Sequence, residues 1–219
     1  MKTFAIIGLG RFGTALAREL SALGHEVLAI DLAEEKVQRV ADKVTHAVIG
    51  DARDINVLNA LGVRNFDCAV VALGSDVGNS ALITLNLKEL GLKQVVCKAQ
   101  SHVHQRVLEK IGADRVVFPE HEMGTKLAQG LSSSNVLNFI EFSDDYGIVE
   151  LAVPRSWQGK TIRTLDVRNA FHVNIIAVRK ASSPGTLNVA PGADCMLEAG
   201  DNVVAAGRGD DIDRLHEVR

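Results

Sequence analysis

Several things are scarce in this sequence, and each scarcity excludes something. Its 219 residues hold three cysteines, one tryptophan and one tyrosine. Cys68, Cys97 and Cys195 are too few and too scattered for a disulfide framework or a metal knuckle. Cys68 and Cys97 fall within apolar, strand-like runs, where a thiol serves as a small buried hydrophobe. Basic residues are not in excess: 24 Lys and Arg against 27 Asp and Glu leave a formal charge of -3. That balance lacks the positive footprint needed to neutralise a phosphate backbone, so nucleic acid is not an expected partner. No apolar run approaches the roughly 18 to 20 residues that cross a bilayer. The N-terminus enters a strand pattern at once, without a charged leader and cleavage site, and a soluble, cytosolic protein is expected.

What is present can build a core, since 47% of residues are hydrophobic and only 23% charged. At about 150 residues per domain the length suggests one ordinary domain and a smaller one. Up to about residue 130, short β-branched runs alternate with longer helical patterns, the rhythm of a parallel sheet covered on both faces. Six runs are expected as strands: Phe4 to Ile7, Glu26 to Asp31, His46 to Ile49, Cys68 to Leu73, Val95 to Ala99 and Arg115 to Phe118. Between them lie helical stripes of Ala15, Leu16, Leu20 and Leu23, of Val37, Val40 and Ala41, and of Ala81, Leu82, Leu85 and Leu90. Gly24 and Gly91 close the first and third. The fold class expected is α/β, a Rossmann doubly wound parallel sheet followed by a small α+β C-terminal lobe. A helical pattern continues from about 120 to 143, and Ser-Asp-Asp-Tyr-Gly at 143–147 interrupts it, which places the boundary between a domain of 1–143 and a lobe of 144–219. In that lobe strands are expected at Val149 to Val153, Asn174 to Val178 and Asn202 to Ala206, with short helices after Thr161 and after Asp210.

The first strand runs into Gly8-Leu9-Gly10-Arg11-Phe12-Gly13 and then a helical pattern, the context that turns a weak glycine motif into a dinucleotide-binding fingerprint. Gly8 makes the turn, Gly10 lets backbone approach a pyrophosphate, and Gly13 lets the helix pack on the strand while its N-terminus faces the phosphates. Asp31 ends the second strand, where a carboxylate accepts hydrogen bonds from ribose hydroxyls and repels a 2'-phosphate, so NADP is disfavoured. Arg11 stands beside the phosphates, where a guanidinium can meet a terminal phosphate bidentately and so favour ATP or ADP beside NAD; a solvated surface arginine is the alternative. Asp51 and Ala52 follow strand three near the place of an adenine, although Asp51 is equally suited to capping the helix that begins near Asp54. Lys98 and Glu120 lie at the carboxyl ends of strands five and six, where such sheets place ligand contacts.

Catalytic groups are harder to find. A short-chain dehydrogenase needs a Tyr with a Lys four residues later, and here the one tyrosine, Tyr146, is followed at that spacing by Glu150. His102 and His104 are two apart at the start of a helical pattern, so their side chains diverge and they read as solvated or capping residues. The lobe holds His172, and His216 in the terminal helix, with no Ser-His-Asp or Cys-His set. A nucleotide site without acid-base partners reads as a sensor, in which the ligand shifts a conformational equilibrium. The expectation is a protein that is not an enzyme.

The glycine loop, the run Gly24-His25-Glu26-Val27-Leu28-Ala29-Ile30-Asp31, Lys98-Ala99-Gln100, and Leu108 to Arg115 through Pro119-Glu120 closely resemble the Ktr/Trk potassium-transport regulators, the RCK proteins. The resemblance spans both lobes. It implies a cytoplasmic, peripheral subunit that forms dimers, assembles into an octameric ring, docks on a membrane potassium-translocating subunit and gates it in response to ATP or ADP. It places the phosphate loop on Gly8, Gly10 and Gly13, the ribose carboxylate on Asp31 and the γ-phosphate sensor on Arg11. Glu120 matches the glutamate that takes part in binding Mg2+, Ca2+ or Na+ at the dimer interface. The second lobe resembles a module that in many relatives binds cyclic di-AMP between two subunits, with Ile162, Arg168, Asn174, Ile176 and Pro191 as candidate contacts; core packing is the alternative for the two isoleucines. Two rivals stand beside a nucleotide-gated regulator. One is an NAD-dependent oxidoreductase or NADH-binding redox sensor of the same fold, and the other a nucleotide-responsive transcription regulator, which no helix-turn-helix or basic patch supports.

Overall fold

The structure is a computed structural model that describes the chain except residues 75, 133–135, 144, 217 and 219; the side chains of 126, 129, 130, 132, 136, 138, 139, 141–143, 213 and 216 also lie outside the described set. Its chain divides into two units, Met1–His121 and Glu122–Arg219.

In the first unit β1 (Thr3–Ile7), α1 (Arg11–Ala22), β2 (Glu26–Asp31), α2 (Glu34–Gln38), β3 (His46–Ile49), α3 (Ile55–Ala60), β4 (Cys68–Val71), α4 (Val77–Glu89), β5 (Val95–Lys98), α5 (His102–Ile111) and β6 (Arg115–Val117) follow one another. The strands form one six-stranded parallel sheet in the order β3-β2-β1-β4-β5-β6. This is the doubly wound order of a Rossmann fold, which opens a crevice at the carboxyl ends of β1 and β4, where the order reverses. Side chains alternate across the sheet. Ala5, Ile7, Leu28 and Ile30 pack with Leu58, Ile83, Leu87 and Leu108 from α3, α4 and α5, while Ile6, Val27, Ala29 and Val70 pack with Ala17 of α1 and Val37 of α2. Cys68 and Cys97 are buried hydrophobes, and burial pushes both thiols up to about 11.

Helix α4 corrects the third stripe. Its apolar residues are scattered round the axis among polar ones, and the sheet takes Ile83 and Leu87 while Leu82 and Leu85 stand 42% and 43% exposed. Thr84 settles the buried face, its hydroxyl lying 3.2 Å from the Cys97 thiol while also donating to the Ser80 carbonyl. His104 is a second correction: it is buried without a hydrogen-bond partner for either ring nitrogen, and burial holds its imidazole below the ordinary value. Ser101, not a histidine, caps α5. The side chain of His216 lies outside the described residues.

Helix α6 (Pro119–Ser132) contains the division between the units. In the second unit β7 (Val136–Ser143), β8 (Tyr146–Ala152), β9 (Lys160–Thr161), α7 (Ile162–Leu165), α8 (Val167–Phe171), β10 (Asn174–Arg179), β11 (Leu187–Val189), β12 (Met196–Leu197), β13 (Asn202–Arg208) and α9 (Gly209–His216) follow. The helical pattern read as far as 143 therefore ends at Ser132, and 136–143 is strand. The turn at 143–147, in which Asp144 lies outside the described residues, is a hairpin joining β7 to β8. A five-stranded antiparallel sheet in the order β11-β10-β13-β8-β7 packs Val149, Leu151, Val203 and Ala205 against Ile212 and Leu215 of α9.

Candidate nucleotide site

The site grows from the turn after β1. Gly8 has φ +95°, a left-handed conformation that side chains resist, and a Cβ there would lie 3.1 Å from Leu73. At Gly13 a Cβ would lie 1.9 Å from the Gly8 carbonyl oxygen, so α1 can start this close to the loop only with glycine there. Gly10 differs: a Cβ would meet nothing within 4 Å, and the open side is where phosphate oxygens can reach backbone. Gly10 caps α1 without a side-chain hydrogen bond, which leaves the first-turn N–H groups to a ligand, at the positive end of the helix dipole.

Asp31, at the end of β2, is only 8% exposed and already engaged. Its Oδ2 accepts the Leu9 N–H at 2.7 Å, its Oδ1 accepts the Ala33 N–H at 2.9 Å, and the Lys36 ammonium lies 3.3 and 3.4 Å from the two oxygens. Burial alone would raise this carboxyl, but the hydrogen bonds from Ala33, Leu9 and Lys36 outweigh it and hold it below its ordinary value. The aspartate thus fastens the glycine loop to β2, a role sequence reasoning missed because a contact between positions 9 and 31 leaves no local signal.

Two cavities open from this carboxylate. One, of about 270 Å³, brings Gly8, Gly10, Arg11 and Phe12 together with Lys98 and Glu120. Lys98 is 9% exposed, donates to Glu120 Oε1 at 2.5 Å and stands 5.8 Å from the centre of the Phe12 ring. The hydrogen bond from Lys98 holds the Glu120 carboxyl below its ordinary value. An ammonium therefore sits where a cation could meet Glu120, and two cations besides the helix N-terminus face the place of the phosphates. Among the described residues no group of three or more His, Cys, Asp or Glu gathers for a metal, so phosphate oxygens would have to complete such a site. The other cavity, of about 260 Å³, lies between Asp31 and the turn after β3 and is lined by Gly50, Asp51, Ala52, Arg53, Asn79 and apolar side chains. Asp51 does not cap α3; Asp54 does, accepting from Asn56 N–H.

In the second unit Ile162, Arg168, Asn174 and Pro191 line a cavity of about 360 Å³, with Arg168 Nε donating to Asn174 Oδ1 at 2.8 Å. Ile176 is not among its lining residues, and Ile175 is. The pairing of β10 with β13 shifts between Ile175 and Ala177, an irregularity that period-2 counting along one strand cannot foresee.

A sheet ordered 3-2-1-4-5-6 with a glycine cradle and an acidic residue closing β2 defines a Rossmann-type nucleotide-binding protein. The TrkA-N domain matches residues 4–119 and the TrkA-C domain residues 148–218. The chain belongs to the Ktr/Trk family of TrkA-N and TrkA-C domain proteins, the family its motifs resemble. It is 46% identical over 214 residues to the Ktr system potassium uptake protein A of Bacillus subtilis, covering 98% of this chain and 95% of that one. It is 41% identical over 216 residues to the Ktr system potassium uptake protein C of the same organism, covering 99% and 96%. The solved GsuK channel bound to NAD shares the fold, with TM-score 0.69 and 21% identity across 99% of this chain, which spans 39% of that channel chain. Among the described residues no helix is long and apolar enough to cross a membrane.

Proposed function

We propose that this chain is the nucleotide-sensing regulatory subunit of a potassium uptake system. It binds ATP or ADP in the first unit without turnover, forms dimers that assemble into an octameric ring on the cytoplasmic face of the membrane, and gates a potassium-translocating subunit. The observation that carries this reading is the cavity in which Gly10, Arg11, Lys98 and Glu120 meet: it offers cations and a helix N-terminus to a chain of phosphates, with a carboxylate beside them. Gly8, Gly13 and Asp31 hold the loop and the ribose, Phe12 lies under Lys98, and Asp51 and Ala52 border the base. Glu120 holds Mg2+, Ca2+ or Na+ against the phosphates once Lys98 turns to them. In the second unit the cavity bordered by Ile162, Arg168, Asn174 and Pro191 takes cyclic di-AMP. An NADH-binding redox sensor is the second reading, favoured by the NAD-bound channel that shares the fold.

Thermal shift and calorimetry with ATP, ADP and NADH test the ligand. Glu120→Gln should abolish the extra melting temperature that divalent cation adds to the ATP-bound protein and leave the stabilisation by ATP alone largely in place. Linkage requires the reverse as well, cation tightening ATP in the wild type and not in the variant. A variant that keeps the full cation response removes Glu120 from the cation site. Potassium flux into vesicles carrying the membrane subunit, with ATP against ADP, tests the gating.

A further inference from the structure

The turn after β3 holds a residue that neither the glycine fingerprint nor the ribose carboxylate calls for. Arg53 lines the cavity beside Asp31, and its guanidinium is fixed edge-on by Asp51: Nε donates to Oδ1 at 2.8 Å and Nη2 to Oδ2 at 2.7 Å. The Arg53 backbone is fixed as well, its N–H donating to Asp51 Oδ1 at 3.0 Å and its carbonyl accepting from Asn86 Nδ2 of α4 at 2.8 Å. Such a fork uses two of the five in-plane N–H donors, fixes the plane of the group and leaves its flat face uncovered. What remains to offer is the flat face of a weakly hydrated cation, which stacks on aromatic rings. The side chain is 43% exposed, and among the described residues no aromatic ring stacks on it. The same cavity is lined by Leu32 and Leu73, apolar side chains with open surface suited to the flat side of a base.

We infer that Arg53, held flat by Asp51, is a specificity-determining wall of the site that stacks on the adenine base of the bound nucleotide. This rests on the reading above, that the adenosine half of a nucleotide lies beside Asp31. Stacking is worth about a ten-fold change in affinity for one base and does not depend on what the base's ribose carries. A charge contact would instead grow with every phosphate and fade with salt.

Calorimetry with AMP, ADP, ATP and CTP separates the two. Arg53→Met and Arg53→Lys should each weaken AMP, ADP and ATP by the same factor of about ten. Both should narrow the preference for ATP over CTP, because a single-ring base has less face to stack. The exposure of the side chain predicts little change in melting temperature, which monitors folding in every variant. Full affinity in Arg53→Lys, losses that rise from AMP to ATP, or unchanged affinity in Arg53→Met would each overturn the proposal. Wild-type protein that binds none of the three adenine nucleotides would refute the nucleotide reading itself, an outcome distinct from all of these.

Discussion

Each unit contains a nearly buried aspartate held by two backbone N–H groups and a lysine, and the two are put to different use. Asp31 accepts from Leu9 and Ala33 N–H and from Lys36 in the first unit; Asp201 accepts from Ala181 and Glu198 N–H and from Lys180 in the second. Burial would raise both carboxyls, and in both the hydrogen bonds win and hold them low. The difference lies in the lysine. Lys180 also donates to the Met196 carbonyl at 2.6 Å and reaches Glu198 at 3.3 Å, so all three of its protons have acceptors and the knot is closed. The only described acceptor for Lys36 is Asp31, and Lys36 borders both cavities of the first unit. One arrangement is thus a closed structural clamp where its donors are saturated, and where they are not it leaves a lysine beside two open cavities.

The largest expected effect is on the closed knot. Asp201→Ala leaves a partly buried ammonium and two N–H groups unpaired and should destabilise the second unit by about 3 kcal/mol, read by urea unfolding, while ATP affinity is unchanged. A loss of nucleotide affinity would show the two clamps are not separate devices. Asp31→Ala should cost somewhat less stability, about 2 kcal/mol, because Lys36 can turn to water, but it should also weaken ATP and ADP by at least ten-fold. Intact affinity would reduce Asp31 to a loop fastener. Both carboxyls are depressed in the folded state, so their contributions are complete above the unfolded pKa of about 4 and disappear as pH falls through the lower folded values. The stability gap between wild type and Asp201→Asn should therefore narrow as pH falls below about 4, and a gap that stays constant through that fall would contradict the assignment. The smallest effect is expected of Arg11→Ala, which should narrow the difference between ATP and ADP with little effect on stability; equal losses for both would remove it as the terminal-phosphate sensor.

The glycine loop and Asp31 were legible because their requirements are local: a positive φ at Gly8, no room for a Cβ at Gly13, an acidic residue where β2 ends. The four inner strands of the first unit were legible for the same kind of reason, as a strand buried on both faces needs a nearly unbroken apolar run, while the edge strands β3 and β6 were marked by short β-branched runs between turn residues. Helix α4 shows the limit. With apolar and polar side chains interspersed all round, its sequence could not say which face the sheet would take. Strand β7 shows another: Val136 to Ser143 has no pattern that excludes a helix, and pairing with β8 decides it. The short pair of β9 and β12 and the edge strand β11 were not foreseen, since so few residues carry no period.

By itself the sequence determined the Rossmann class, the glycine turn after β1 and the acidic residue that ends β2, and family membership, because each rests on residue types at fixed spacing along the chain. Tertiary structure decided which charges meet: Asp31 with the Leu9 amide, Lys98 with Glu120, Lys180 with Asp201, and Asp51 with Arg53 rather than with the end of α3. It also put His104 inside, where its neighbour two residues earlier is exposed. The physical reason is common to all of these. A side chain's partner is chosen by burial and by the direction it leaves the backbone, and both are properties of the packed chain rather than of its order.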